Sequence, residues 1–323
     1  MSRAACGPGP ARQRGVAMLV AIILVAIATI LAATIIWRSS LAARRGVATF
    51  TVAQGYQLAL GGEAMAAYVL NDSLKKAQGV VSPTQSWAQP YGPYELDAGA
   101  TFQGEIEDLA GRFNLNSVVT QATPNGPFVV DTEGMAEFTR LLQLLQINTD
   151  FAARTVDWID SDSQATSPGG AEDSYYETLQ PAHRVPNRPL TSVSELLAMG
   201  MDRASYDRLR PFVAALPPGT TLNLCTARLE VLDAVSGTQG WANDAKQLAT
   251  QRSQNPCFPD RATFLNAVSG TGTQLGNRIG TTSKYFRLRA WVTLGTTRFT
   301  LYSLLTQDSA GRIRPLLRTF GTE

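Results

Sequence analysis

A chain of 323 residues with 27 Gly, 17 Pro and 44% hydrophobic content can bury one large core or two modest ones, which sets aside solenoid, collagen-like and disordered architectures. Charged residues make up only 17%, below the roughly 25% usual for soluble globular chains, so part of the chain is expected to lie out of water. The formal charge of +2 comes from the first fifteen residues, which carry Arg3, Arg12 and Arg14 and no acid; the near-neutral remainder has no global electrostatic reason to bind nucleic acid.

From Val16 to Trp37 there is no charged residue, Pro or Gly. As a helix this run would span about 33 Å, enough to cross a bilayer. A secretory signal peptide has an apolar region of only about 7 to 15 residues, so Ser40-Leu41-Ala42 imitates a cleavage site after a run that is too long. Arg3, Arg12 and Arg14 on one flank are matched by Arg38, Arg44 and Arg45 on the other, and charge alone does not orient the segment.

Beyond Trp37, Leu41, Val47, Phe50, Val52, Tyr56, Leu60, Met65, Tyr68 and Val69 recur at roughly helical intervals to about Ala77. Gly46, Gly55, Gly61 and Gly62 weaken the pattern locally. One long helix is expected, running from the membrane to an amphipathic half packed on a globular body. Lys76, Pro83, Pro90 and Pro93 point to its exit and a loop, and strand-like alternation follows from Thr101 to Glu107.

The middle of the chain reads as helical. Met135, Phe138, Leu141, Leu142 and Leu145 share one face, and Phe151 to Ile159 forms a second short helix. Ser192 with Glu195 makes a capping box for Val193 to Met199, and Asp202 caps a helix carrying Tyr206 and Leu209. After Pro211, Pro217 and Pro218 come a helix from Thr226 to Val235, then a polar stretch from about Ser236 that holds loop and a short helix after Asp260. At the carboxyl end Phe286, Leu288, Ala290 and Val292 alternate with polar or larger neighbours. Phe299, Leu301, Ser303 and Leu305 do the same, and Pro315 would put a third strand, Ile313 to Phe320, at a sheet edge. The fold class is α+β, either one domain interrupted by an all-helical insertion or two successive domains. The likeness of Phe113-Asn114-Leu115-Asn116 to Leu222-Asn223-Leu224-Cys225, on either side of the helical block, favours insertion.

Cys6 lies in the leader, which leaves Cys225 and Cys257 as a pair beyond the membrane segment. In an oxidising compartment such a pair is expected to bridge rather than remain two buried thiols. Closing that loop would add roughly 3 to 4 kcal/mol in the chain-entropy model, and the pairing argues for a periplasmic or extracellular body.

Between Asp157 and Glu177 stand Asp157, Asp160, Asp162, Glu172, Asp173 and Glu177, with no basic residue, and Ser167-Pro168-Gly169-Gly170 can fold the two halves together. Hard oxygens so arranged suit Ca²⁺ better than Mg²⁺, without the spacing of an EF-hand. Taken bare, a solvated acidic loop is the plainer reading. Leu197-Ala198-Met199-Gly200-Met201-Asp202 resembles a helix-hairpin-helix turn, but Asp202 replaces the usual second Gly and the neighbouring acids would repel phosphates. A structural module is expected there, with a membrane-anchored nucleic-acid binder of the DNA-uptake type as the alternative function. His183 is the only histidine and reads as a surface-loop imidazole between Pro181 and Pro186; no nucleophile motif or zinc ligand set is present, so catalysis is not expected.

Arg12-Gln13-Arg14-Gly15 abuts Val16-Ala17-Met18-Leu19 directly. That junction resembles the processing signal of type IV prepilins and of the pseudopilins of type II secretion, cut after the Gly by a membrane peptidase; a plain signal anchor is the alternative for the junction alone. Counting from Val16, the fifth position is Val20, where most of that superfamily carry Glu; its lack is characteristic of the K subunit. Asp157-Trp158-Ile159-Asp160, Pro168-Gly169-Gly170-Ala171-Glu172-Asp173 with Tyr175-Tyr176, Asn187-Arg188-Pro189-Leu190 and Ser192-Val193-Ser194-Glu195-Leu196 look like the central segment of the type II secretion minor pseudopilin K family, and with Gly111-Arg112-Phe113-Asn114-Leu115-Asn116 the similarity covers nearly the whole chain.

The resemblance implies a pilin-like fold, a long amino-terminal helix on an antiparallel sheet interrupted by a large all-helical insertion. It implies a leader at 1–15 cut between Gly15 and Val16 with methylation of the new end, and a transmembrane helix at 16–37. Pilin-like parts are implied at 38–116 and 222–323, around an insertion at 117–221. It also implies bound calcium, with Asp157, Asp160, Asp162, Glu172 and Asp173 as candidate ligands. The implied place is the pseudopilus tip, where the protein would nucleate assembly in the export of folded proteins across the outer membrane. Implied partners are minor pseudopilins of the I and J types, the major pseudopilin and the prepilin peptidase, with secretin or cargo as further contacts and no nucleic acid. The implied location is the inner membrane, single-pass, amino end cytoplasmic and body periplasmic.

Overall fold

The computed structural model describes residues 14–77, 79–96, 99–237, 245–268 and 272–321, so the expected leader lies outside the described residues except for Arg14 and Gly15. The chain divides into two units, Met1–Gln57 and Leu58–Glu323. Helix α1 (Arg14–Lys76) runs from the first into the second, as the apolar pattern predicts. Within the first unit its apolar side chains from Val16 to Trp37 are exposed, and among the described residues it is the one helix long and apolar enough to cross a membrane.

In the second unit the chain leaves α1 for two antiparallel strands, β1 (Tyr91–Leu96) and β2 (Ala100–Asp108). The prolines predict a loop where β1 stands. The strand forms because it is outermost in its sheet and its register shifts between Tyr91 and Tyr94, so Pro93 leaves no ladder bond unmade. Short strands β3 (Phe113–Asn114), β4 (Val119–Gln121) and β5 (Phe128–Val130) lead to α2 (Thr132–Leu144), α3 (Asp150–Ile159), α4 (Asp173–Tyr176), α5 (Glu195–Ala198) and α6 (Arg203–Leu209). Next come β6 (Val213–Ala214), β7 (Leu222–Asn223), α7 (Leu229–Ser236), α8 (Ala245–Gln254), α9 (Arg261–Ala267), α10 (Gly272–Arg278) and β8 (Ile279–Gly280). The chain ends in β9 (Tyr285–Leu294), β10 (Thr297–Gln307) and β11 (Ile313–Phe320).

Local chemistry sets these boundaries. The side chains of Asp131, Asp202 and Asp260 accept the free N–H of Gly134, Ser205 and Thr263 and so start α2, α6 and α9. Half of the expected capping box forms, the Glu195 carboxylate accepting from Ser192 N, but α5 is only Glu195–Ala198 rather than Val193 to Met199. α7 begins at Leu229, not Thr226, because the backbone at Arg228 is still extended. α8 and α10 were not expected; their segments are polar, and each inserts a single apolar anchor, Leu248 or Leu275, into the core.

The large sheet has the order β1-β2-β9-β10-β11, with every neighbour antiparallel. Direct pairing of β2 with β9, from Ala100↔Leu294 to Asp108↔Phe286, makes everything between them an insertion and excludes two successive domains. β11 is an edge strand, as Pro315 requires. One face of the sheet buries Phe102, Ile106, Phe286, Leu288, Ala290, Val292, Leu301 and Leu305 against Ala59, Ala66 and Leu70 of α1. A second core fills the inserted body and reaches from Phe113 to Ile279. It takes in Leu232, Phe264, Leu275 and Ile279, which follow residue 221.

Departure and return of the chain are joined at one residue. Asp108, the last residue of β2, is buried and accepts from Ala110 N, Asn223 Nδ2, Thr226 Oγ1 and Ser283 Oγ. Burial pushes its carboxyl upward, and these four donors oppose that shift. Cys225 and Cys257 are joined by a disulfide, and Arg252 of α8 donates beside it to the carbonyls of Leu224, Ala227 and Phe258.

Candidate metal centre

α3 buries Phe151, Ala152, Val156 and Ile159 and ends at Asp160, whose extended backbone turns the chain outward. One turn earlier Asp157 is fully buried, and its carboxylate accepts from Thr166 N and, at 2.7 Å, from Ala171 N. Those bonds draw the loop 161–171 back onto α3. The loop closes only because residue 170 is glycine, since a Cβ there would meet Asp157 Oδ2 at 2.2 Å and Thr166 O at 2.4 Å. Glu172 is thereby delivered to the start of α4, facing the end of α3.

In this arrangement Asp160, Asp162 and Glu172 each bring one carboxylate oxygen within 4.8 Å of the others. Asp160 and Glu172 are only 5% and 7% exposed, whereas Asp162 is open to solvent. Asp160 Oδ1 and Glu172 Oε1 are buried without a hydrogen-bond partner, and among the described residues no Lys or Arg forms an ion pair with the three. Burial, then the charges of Asp162 and Asp157, push the Asp160 carboxyl up to about 7. Burial, then Asp157, Asp160, Asp162 and Asp173, push Glu172 up to about 7. Asp157 is also raised by burial, against the hydrogen bonds from Thr166 and Ala171. Orphaned buried oxygens at the meeting point of three carboxylates fit a hard dication, which would supply both the missing partner and the missing charge.

The other sequence candidates are placed elsewhere. Asp173 accepts from Val185 N and lies 3.8 Å from Arg184, which also pairs with Glu177 at 3.2 Å. Arg184 stands just outside the acidic stretch and was the missed residue; its place seven residues after Glu177 was the available signal. His183, partly exposed in its loop, packs against Tyr176 and Trp158, with its ring nitrogens at the carbonyls of Pro181 and Ala198. In the hairpin, Gly200 has φ +89° and Met199 and Met201 are core residues, so that turn serves packing. Gly15 and Val16 lie in the first turns of α1.

Comparison with known proteins bears on the whole chain. Residues 111–218 match the family model described as Type II secretion system (T2SS), protein K. Type II secretion system protein K of Pseudomonas aeruginosa is 34% identical over 96% of this chain and 93% of its own length. The Aeromonas hydrophila protein of the same name is 30% identical over 97% and 99%. Among solved structures, a chain in the crystal structure of the GspK-GspI-GspJ complex from the enterotoxigenic Escherichia coli Type 2 Secretion System has the same fold, with TM-score 0.73 and 24% identity, covering 86% of this chain and 100% of that one. The inserted helical body, the long apolar helix and identity sustained over nearly the full length agree, and the chain belongs to the type II secretion system protein K family, a minor pseudopilin of that system.

Proposed function

We propose that this protein caps the tip of the type II pseudopilus and nucleates its assembly, as part of the export of folded proteins across the outer membrane. The observation that carries the reading is the helical body set between the adjacent strands β2 and β9. A pilin-like subunit needs only the helix-on-sheet core; this one carries a second, larger core whose bulk obstructs the stacking of another subunit beyond it. Val20 supports the same place in the filament. The subunit that enters first has no earlier neighbour whose terminal amine a carboxylate could meet, and an unpaired carboxylate in the bilayer is costly. The apolar half of α1 would be the single inner-membrane anchor, with the amino end cytoplasmic and the disulfide-bearing body periplasmic.

Partners of the I and J types are proposed from the solved neighbour, which is a complex of GspK with GspI and GspJ. Calcium is proposed at Asp160, Asp162 and Glu172, with Asp157 holding the loop that positions them and Asp173 at its border. The ion would supply charge and oxygen coordination, and the chain's own part is to bury two of the carboxylates and close the loop over them.

The test is co-expression of the tagged full chain with I-type and J-type pseudopilins and the prepilin peptidase, followed by detergent extraction and affinity purification. A stable three-subunit complex is expected, and intact mass of the tagged subunit should correspond to a methylated chain beginning at Val16. Recovery of the tagged chain alone, or a start beyond Ala42, would overturn the assembly reading.

A further inference from the structure

Where the apolar run of α1 ends, three cations stand without any counter-charge. Trp37, the last apolar residue, is 72% exposed. Arg38, Arg44 and Arg45 follow on the same helix, all exposed, and none has a hydrogen bond or ion pair among the described residues. The chain contains no acid before Glu63, so no i,i+3 or i,i+4 carboxylate is available to any of the three. Glu63 itself is buried and already taken by Ser303 Oγ and Arg318.

Helical geometry spreads these guanidinium groups around the axis. Arg38 and Arg45 are seven residues apart, about 10 Å along the helix and nearly on one line, while Arg44 is displaced by about 100° from Arg45. A single partner helix would meet a stripe; this arrangement covers a sector. Guanidinium forks match phosphate oxygens in pairs, a Trp marks the interfacial level of a bilayer, and arginine stems are long enough to reach back to that level.

We infer that Arg38, Arg44 and Arg45 form a phosphate-binding collar for anionic phospholipid headgroups at the level where α1 leaves the bilayer. The inference rests on the reading that Val16 to Trp37 spans a membrane. It also accounts for a charge pattern that gives no orientation: the cations on this flank equal those at the amino end, and their binding to headgroups fixes the depth of the helix instead of its direction. Such contacts are electrostatic and release as the helix is drawn upward, which suits a subunit that must leave the bilayer.

The full chain, purified in detergent, is incubated with phosphatidylglycerol or phosphatidylcholine and examined by native mass spectrometry beside the Arg38→Gln, Arg44→Gln, Arg45→Gln triple variant. The wild type is expected to retain phosphatidylglycerol at least about 10-fold over phosphatidylcholine, with the preference falling as salt rises, and the variant to retain both alike. Equal retention of phosphatidylglycerol by wild type and variant would overturn the collar. So would a variant that keeps its lipid but no longer co-purifies with I-type and J-type subunits, because the arginines would then face an acidic protein surface. Alkaline extraction of membranes separates the two levels: wild type left in the pellet without lipid preference sinks only the collar, whereas release into the supernatant sinks the membrane anchor beneath it.

Discussion

Asp160, Glu172 and Asp157 belong to one acidic stretch, yet the fold assigns them different work. Asp157 spends its oxygens on Thr166 N and Ala171 N, while Asp160 and Glu172 keep one buried oxygen each without a partner. The last two have carboxyls pushed up to about 7, above the roughly 4 of an unfolded chain. Between those values the folded protein binds protons that the unfolded chain has released, so stability of the metal-free form falls as pH rises through this window and the loss is complete above about 7. Calcium would reverse the sign by favouring the ionised pair. Chelator-treated protein is therefore expected to melt lower at pH 8 than at pH 5.5, and added calcium to close most of the gap. Asp160→Asn with Glu172→Gln should flatten the pH slope and abolish the calcium response. A melting temperature at pH 8 indifferent to both chelator and calcium would return the cluster to a solvated acidic loop.

Neighbouring glycines on α1 show how an element's sequence pattern understates its packing. Gly61 and Gly62 both weaken a helix by the same propensity argument, about 1 kcal/mol each relative to Ala. Their surroundings differ. A Cβ at 61 would meet nothing within 4 Å, whereas one at 62 would lie 2.0 Å from Phe102 Cε2, in the core between α1 and β2. Gly61→Ala should thus stabilise the protein by up to about 1 kcal/mol, and Gly62→Ala should destabilise it by about 1 to 3 kcal/mol as Phe102 is displaced. Chemical denaturation of the two single variants checks the opposite signs; shifts in the same direction would mean that α1 does not sit this closely on the sheet.

At the scale of the whole molecule, two apolar cores share no residue: one joins α1 to the sheet, the other fills the inserted body. The candidate metal centre belongs to the second, and α2 packs between α3 and α7 at its middle. Removal of the proposed calcium is expected to raise amide hydrogen exchange across α3, α4 and the loop 161–172 while the β9/β10 ladder stays protected, because local opening follows the cooperative unit that loses its support. Equal loss of protection in both regions would show that the buried Asp108 joint makes body and sheet unfold as one.

Much of this was legible in the chain itself. The uncharged run from Val16 to Trp37, the alternation in β9 and β10, the aspartates that start α6 and α9 and the position of Pro315 are local signals, because burial period and capping chemistry act over a few residues. The spacing of the acids was likewise visible. Three things were not. β1 carries Pro93, and only its outermost place in the sheet makes that harmless. α8 and α10 lack apolar periodicity and are held by single anchors, with Arg252 of α8 also reaching backbone carbonyls beside the disulfide. Which acids converge was decided when Asp157 closed its loop and Arg184 drew Asp173 and Glu177 aside, contacts whose partners are distant in sequence and set by packing. Short-range pattern specified the elements and the chemistry available; long-range pairing, β2 with β9 above all, decided which of that chemistry meets.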